Sequence, residues 1–305
     1  MERGVLAEMI QQFEVTGVHL SMREQLMMIE VENDFAKATI TPHGASVLSF
    51  VPKSGNASGQ DLLWVSDAAV YTGEKPVRGG IPICWPWFGP SQEAGLPAHG
   101  FVRNRVWHLD SVRNLEAGVT EVILMLESDD ASLAVWPHAF RLELKIEIGT
   151  ELVMTLITHN LNDHDIEVTE AFHSYFTVSD AESIQVDGLV HSFCYDKLTN
   201  ADPVEQTESL KITPPIDSVF IDQLAPIKIK DAQLQRNICI EKGNGRSAVV
   251  WNPGPEIIKG FADMPNDAWP TMLCVEAGNV LQNAVWIPSG EKHKFIMKLY
   301  AEDFH

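Results

Sequence analysis

Residues 140–148 read FRLELKIEI, with Phe140, Leu142, Leu144, Ile146 and Ile148 on one face and Arg141, Glu143, Lys145 and Glu147 on the other. A period of two belongs to a half-buried antiparallel strand, because successive strand side chains point to opposite faces of a sheet. Gly149-Thr150 follow as a turn, and ELVMTLITHN returns as the second strand of a hairpin. Moving outward, similar short runs occur at Leu26–Val31, Ala36–Thr41, Ser46–Val51, Val122–Leu126, Ile166–Val178, Ile238–Glu241, Ser247–Trp251, Leu273–Ala277 and Lys294–Tyr300. PKSGNASGQ and EKGNGRS carry turn residues, and the second is bracketed by strands as a hairpin would be. Helical periodicity is confined to about residues 1–14 and a piece at Asp67–Tyr71. There is no β-α-β alternation, no G-x-G-x-x-G and no Walker loop, which disfavours nucleotide-binding α/β folds. The pattern predicts an all-β chain, a large antiparallel β-sandwich in one domain over 1–305, with a short N-terminal helical extension at about 1–14.

Composition narrows the partners. Apolar residues make up 45% of 305, enough for a substantial core. A formal charge of −20 argues against nucleic acid and against an anionic membrane surface. Cys84, Cys194, Cys239 and Cys274 lie far apart with no C-x-x-C pair, so they read as reduced core residues. The N-terminus has no signal-peptide h-region and no apolar run reaches the length of a membrane span. A cytoplasmic monomer is expected.

Against that acidic background, residues 78–107, RGGIPICWPWFGPSQEAGLPAHGFVRNRVW, stand out. Pro82, Pro86 and Pro90 forbid a continuous helix, and five glycines allow sharp turns. Trp85, Trp87 and Trp107, with Trp64 upstream, must be buried or must cover a ligand. From Glu74 to Arg105 four bases (Lys75, Arg78, Arg103, Arg105) face two acids (Glu74, Glu93). Guanidinium groups among aromatic rings suit an anionic, ring-shaped substrate. The structural alternative is a rigid plug whose arginines reach out to water.

Three residues carry candidate chemistry. In IEVTEAFHSYFTV, alternation puts Thr169, Ala171, His173 and Tyr175 on the face away from Ile166, Val168, Phe172 and Phe176. His173 therefore projects where a cleft-lining acid or base would stand, although a lone strand histidine is more often structural. Glu170 breaks the pattern by falling on the apolar face. In MLCVEAGN, Glu276 is a carboxylate inside an apolar strand, and burial raises such a group towards the range of a general base. Its alternative is an ion pair with an arginine. Asp217, after two prolines, reads first as a turn residue. His159 and His164 read as a solvated pair. Neither they nor His173 form an H-x-H with a downstream glutamate, so no metal is expected.

Taken in order, RGGIPICWPWFGP, HGFVRNRVW, EAFHSYF and CVEAGN resemble the aldose 1-epimerase (mutarotase) superfamily, and most nearly its hexose-6-phosphate branch, the glucose-6-phosphate 1-epimerases. The resemblance spans roughly residues 25 to 301. It implies a galactose mutarotase-like supersandwich with a cleft, no cofactor and a sugar phosphate as small-molecule substrate. It also implies that His173 donates a proton to the ring oxygen while Glu276 takes one from the anomeric hydroxyl. Arg78, His99 and Asp217 match the family's substrate-binding positions, and Arg103 matches the arginine of the phosphate-sugar branch. Cys84 and Trp85 depart from the usual residues before Pro-Trp-Phe-Gly, and Arg105 is an added cation.

The residue types suit that chemistry independently. Opening a pyranose needs one proton added at the ring oxygen and one removed from O1, which an imidazolium and a carboxylate about a sugar-width apart supply. Trp85 or Trp87 is placed to stack on the sugar face, and the arginines to hold the phosphate. The competing readings are a mutarotase of unphosphorylated aldoses and a non-catalytic carbohydrate-binding module.

Overall fold

The hairpin of residues 140–160 forms as its alternation predicts. Phe140–Ile148 pairs antiparallel with Leu152–Asn160, and buried and half-buried positions alternate along the whole first strand. The computed structural model describes residues 11–304; the helical extension expected at about 1–14 falls mostly outside them. Among the described residues the hairpin sits in a nine-stranded sheet. Its order is Leu210–Lys211, Gln185–Asp187, Ile227–Asp231, Arg236–Gly243, Lys292–Asp303, Leu152–Asn160, Phe140–Ile148, Thr120–Glu127, His108–Asn114. An eight-stranded sheet lies against it, ordered Val204–Glu205, Phe193–Asp196, Ile216–Ile221, Ser247–Asn252, Met272–Asn279, Glu170–Phe172, Ile83–Cys84, with Tyr175–Thr177 also pairing with Met272–Asn279. The first four strands, Val18–Arg23 to Ser46–Pro52, form a meander of their own.

One apolar cluster joins these three sheets, and a two-stranded sheet of Ile166–Val168 with Val285–Ile287 adds Ile166, Val168 and Ile287 to it. Leu144 and Met297 come from the nine-stranded sheet, Val250 and Val275 from the eight-stranded sheet, and Ile29 and Phe50 from the meander. At its centre Phe172 stacks on Phe295 across the two large sheets, with ring centroids 4.8 Å apart. Truncating either ring to alanine would cost about 3–5 kcal/mol, because a cavity would remain where the sheets meet.

Several details differ from expectation. EKGNGRS is not a hairpin: Arg236–Gly243 belongs to the nine-stranded sheet and Ser247–Asn252 to the eight-stranded one, so Asn244–Arg246 carries the chain between layers. Gly245 fits because a Cβ there would meet the Phe295 ring at 2.8 Å. Asp67–Tyr71 makes a turn, not a helix; five residues are too few to repay helix nucleation without an apolar face to pack. Residues 166–178 break into three short strands, Ile166–Val168, Glu170–Phe172 and Tyr175–Thr177. Asp217 lies within the strand Ile216–Ile221, the preceding prolines supplying the turn.

Candidate active site

The break in residues 166–178 is where the candidate site residues gather. The pairing of Glu170↔Asn279, Ala171↔Gly278 and Phe172↔Ala277 continues beyond the gap as Tyr175↔Cys274, Phe176↔Leu273 and Thr177↔Met272. The same register puts His173 opposite Glu276. Cross-strand partners share a face, and here Nε2 of His173 lies 3.3 Å from Oε1 of Glu276. The Gly/Pro-rich segment takes the place of a third strand: His173 N–H donates to Pro82 O at 2.9 Å and Tyr175 N–H to Gly80 O at 2.8 Å.

A cavity of about 290 Å³ opens over this pair. Arg78, His99, Arg103, His173, Asp217 and Glu276 all line it. All six residues singled out from the sequence therefore meet in one place. Phe88, Tyr175, Val249, Trp251, Phe261, Ala98 and Lys197 complete the wall. Aromatic rings encase the dyad. Tyr175 stacks on His173 at 4.9 Å, His99 meets it edge-on at 5.5 Å, and Trp251 does so at 6.4 Å.

His99 owes its place to backbone geometry. It adopts φ 65, and the following Gly100 crosses so close to Trp85 that a Cβ would meet the Trp85 carbonyl oxygen at 1.8 Å. Its Nδ1 accepts from Gly89 N–H at 3.3 Å, which puts the ring proton on Nε2 as a donor. Burial, reinforced by Arg103, Lys197 and Arg78, holds its pKa down to about 3. His99 is thus a neutral hydrogen-bond donor.

The same forces act on the dyad in opposite senses. Burial, and behind it His99, Arg103 and Arg78, holds His173 well below the usual imidazole range. Burial and Asp217 push Glu276 well above the usual carboxylate range, with Lys197 and Arg103 opposing. The pocket therefore favours neutral His173 beside protonated Glu276. Nδ1 of His173 and Oε2 of Glu276 are buried without hydrogen-bond partners, a costly state outside functional sites.

The cations of the cleft are not equivalent. Arg78 Nε donates to Asp263 Oδ2 and Nη1 to the Tyr175 hydroxyl, both at 3.1 Å. Lys197 Nζ is 3.5 Å from Asp217 Oδ1. Arg103 makes no ion pair among the described residues: its Nη2 donates only to Ala98 O at 3.0 Å, and its buried Nε has no acceptor. A second cavity of about 490 Å³ shares Arg78, Arg103 and Tyr175 with the first and adds Lys75. Arg105 stands apart, bonded to Asp129 at the N-cap of the helix Asp130–Val135.

Trp85 and Trp87 do not line the cleft. Trp85 is fully buried against Phe101, Trp136 and Phe140, and Trp87 packs on Phe101 with its indole N–H on Pro97 O. Trp251 lines the cleft instead. Sequence reasoning missed it, along with Lys197 and Asp263. His159 and His164 are not a pair either, since His164 bonds His138 and Asp163 while His159 lies beside Arg141. No group of three or more metal-binding side chains occurs among the described residues, and none of their helices is long and apolar enough to cross a membrane.

Comparison with known proteins gives a consistent picture. The family model of aldose 1-epimerases matches residues 27–300. A Salmonella typhimurium protein provisionally named glucose-6-phosphate 1-epimerase is 35% identical over 254 residues, 83% of each chain. An Escherichia coli protein of the same provisional name is 34% identical over 254 residues, again 83% of each. A crystal structure from Salmonella typhimurium, provisionally described as a mutarotase (YeaD), superposes with a TM-score of 0.87 at 29% identity, covering 95% of each chain.

Proposed function

The chain belongs to the aldose 1-epimerase family, and on that premise we propose that this isomerase interconverts the α and β anomers of a hexose 6-phosphate. His173 is the acid and Glu276 the base. The observation that carries the phosphate preference is Arg103. Each other cation of the cleft faces a carboxylate, whereas Arg103 keeps a buried Nε–H without an acceptor. A guanidinium in that state suits a phosphate oxygen. Lys75 in the adjoining cavity adds a second positive charge on the same side.

The geometry fits the reaction. The ring oxygen and O1 are both bonded to C1, so the groups that serve them must stand close together, and 3.3 Å between Nε2 and Oε1 meets that demand better than a full sugar width. His173 in its imidazolium form gives a proton to the ring oxygen as Glu276 removes the one on O1. The ring opens to an aldehyde, C1–C2 rotates, and the reverse transfers close it on the other face. In the open form His173 is neutral and Glu276 protonated, the state the pocket electrostatics favour. A closed sugar meets the same neutral pair, so the reactive imidazolium–carboxylate form arises when the Glu276 proton passes to Nε2 of His173 across the 3.3 Å contact, and ring opening returns the pair to its neutral form. His99 Nε2–H, Asp217 and Lys197 are placed to fix hydroxyls, and Trp251 to cover the apolar ring face.

The test is anomer exchange by NMR, for glucose 6-phosphate and for glucose, with catalytic protein. Faster exchange for the phosphorylated sugar supports the reading. Equal acceleration of both would make the protein a plain aldose mutarotase, and acceleration of neither would leave a binding module.

A further inference from the structure

A second buried carboxylate lies three rungs along the catalytic ladder, on its opposite face. Glu170 is fully buried, and its register partner is Asn279, just as Glu276 faces His173. Oε1 of Glu170 accepts from Asn279 Nδ2 at 2.9 Å and from His293 Nε2 at 2.7 Å. Its Oε2 has no donor.

The three residues tie the two large sheets together, as Arg236 Nη2 on Thr177 O at 2.8 Å and Lys242 Nζ on Ser247 O at 2.9 Å do elsewhere. Glu170 and Asn279 belong to the eight-stranded sheet, while His293 is the second residue of the strand Lys292–Asp303 of the nine-stranded one. Asn279 Nδ2 also donates to Asn244 O at 2.8 Å and its Oδ1 accepts from Arg246 N–H at 3.0 Å, gripping the crossover between the sheets. Asn244 in turn donates to Lys294 O at 2.9 Å.

Nothing in the proposed proton transfers uses Glu170, and an apolar residue would suit its face better, since Val168 and Phe172 share it. A carboxylate there is costly. What it supplies is position. A one-residue slip would turn His173 or Glu276 away from the cleft, and the bond from Asn279 to Glu170 adds a side-chain pin to the register of these two strands. The ladder is also interrupted at the very rung that carries the dyad. Tyr175, bonded to Arg78, steadies it on one side of the gap; the Glu170 cluster holds the other.

We infer that Glu170, clasped by Asn279 and His293, is a positioning residue that fixes the separation and facing of His173 and Glu276. Its activity arm rests on the proposed function, so the experiment has a second arm that does not. In the first arm, kcat and KM are measured for glucose 6-phosphate in Glu170→Ala, Glu170→Leu, Glu170→Gln, His293→Ala and His293→Gln, each checked for folding by circular dichroism. Glu170→Leu guards against loss of fold through a cavity, because an apolar side chain of similar volume leaves no hole. Glu170→Ala, Glu170→Leu and His293→Ala should lower kcat by about 10²-fold, the scale of an ångström's misplacement, with KM within about twofold. Glu170→Gln and His293→Gln, which keep an acceptor and a donor, should recover most of the rate. The second arm records the imidazole 15N shifts of His173 in the protein without sugar, assigned by their loss in His173→Asn. They should move in Glu170→Leu and return in Glu170→Gln. A folded Glu170→Leu protein with wild-type kcat, or with unmoved His173 shifts, would overturn the inference. Inactive wild-type protein would overturn the proposed function alone, leaving the shifts to decide this one.

Discussion

One pair of neighbouring strands carries two buried carboxylates, each against a histidine, and the roles proposed for them differ. Glu276 and Glu170 are 1% and 0% exposed; His173 stands 3.3 Å from the first and His293 2.7 Å from the second. They differ in what lies beyond the pair. Around Glu276 there is a cavity, with Asp217, Lys197, Arg78 and Arg103 in its wall. Around Glu170 there is amide, strand and apolar core. On that proposal a histidine–carboxylate pair is not in itself a reactive centre. Room for a substrate beside it, and charges that bias where its proton sits, separate chemistry from architecture.

The strongest way to break this contrast is to disable the cleft pair. Glu276→Gln and His173→Asn should each reduce anomerisation of glucose 6-phosphate by roughly 10²-fold or more with the fold intact by circular dichroism. The double variant should cost far less than the product of the two, since both act in one proton exchange. A near-normal rate in either single variant would remove the assignment. In wild type, kcat/KM should be bell-shaped in pH, with both limbs belonging to the pair. It falls in acid when a second proton joins the pair, at a pH lowered by the depressed His173. It falls in alkali when the shared proton leaves, at a pH raised by the elevated Glu276.

A smaller effect separates the ends of the cleft. Arg103→Ala should weaken kcat/KM for the 6-phosphate by about 10–100-fold, the scale of one or two charged hydrogen bonds, and leave unphosphorylated glucose nearly untouched. Equal losses on both sugars would make Arg103 a sugar contact or a structural residue. Arg78 is the contrasting case, because Asp263 and Tyr175 already hold it, and its loss should harm both substrates.

Smaller again is an effect on stability. His99 is held near pKa 3 when folded against about 6.5 for an unfolded chain. Between those values the unfolded state binds more protons, so stability falls as pH drops through that window and is unaffected above it. His99→Gln should flatten the decline of thermal midpoint between pH 6.5 and 4.5, and an unchanged slope would mean that His99 takes up its proton in the folded protein. Smallest of all, Arg105→Ala should leave both sugars' kinetics unchanged within error, because its guanidinium serves the Asp129 cap and not the cleft. A selective loss with the phosphorylated sugar would return Arg105 to the anion site.

The alternation of Phe140–Ile148 was enough to reveal the sheet, because one face of that strand meets the core and the other is half-open to water. Met272–Asn279 hid its geometry, for the opposite reason that every residue in it is buried. Parity put His173 on the cleft face, and the oddity of an acid in an apolar run marked Glu276. Their pairing rests on the register of two strands separated by about a hundred residues, which no local pattern encodes. Trp251 escaped notice because both faces of Ser247–Asn252 are covered, leaving no polar rhythm to read. The density of tryptophan at 85–107 drew attention to rings that fill the core. Glu170, the exception to its strand's pattern, lacked an account until Asn279 and His293 came into view, both more than a hundred residues away.

Because the acid and the base of the proposed cycle touch before any sugar arrives, the protons of one turnover need never leave the protein. The one given to the ring oxygen and the one taken from O1 pass between His173, Glu276 and the substrate, and closure of the ring restores the starting distribution. Water and dissolved buffer are then spectators. A free sugar in solution borrows protons from whatever surrounds it, and its anomers equilibrate at the pace of that medium; in the proposed cycle, at any pH where the pair keeps its single proton, the exchange is self-contained and independent of the buffer outside.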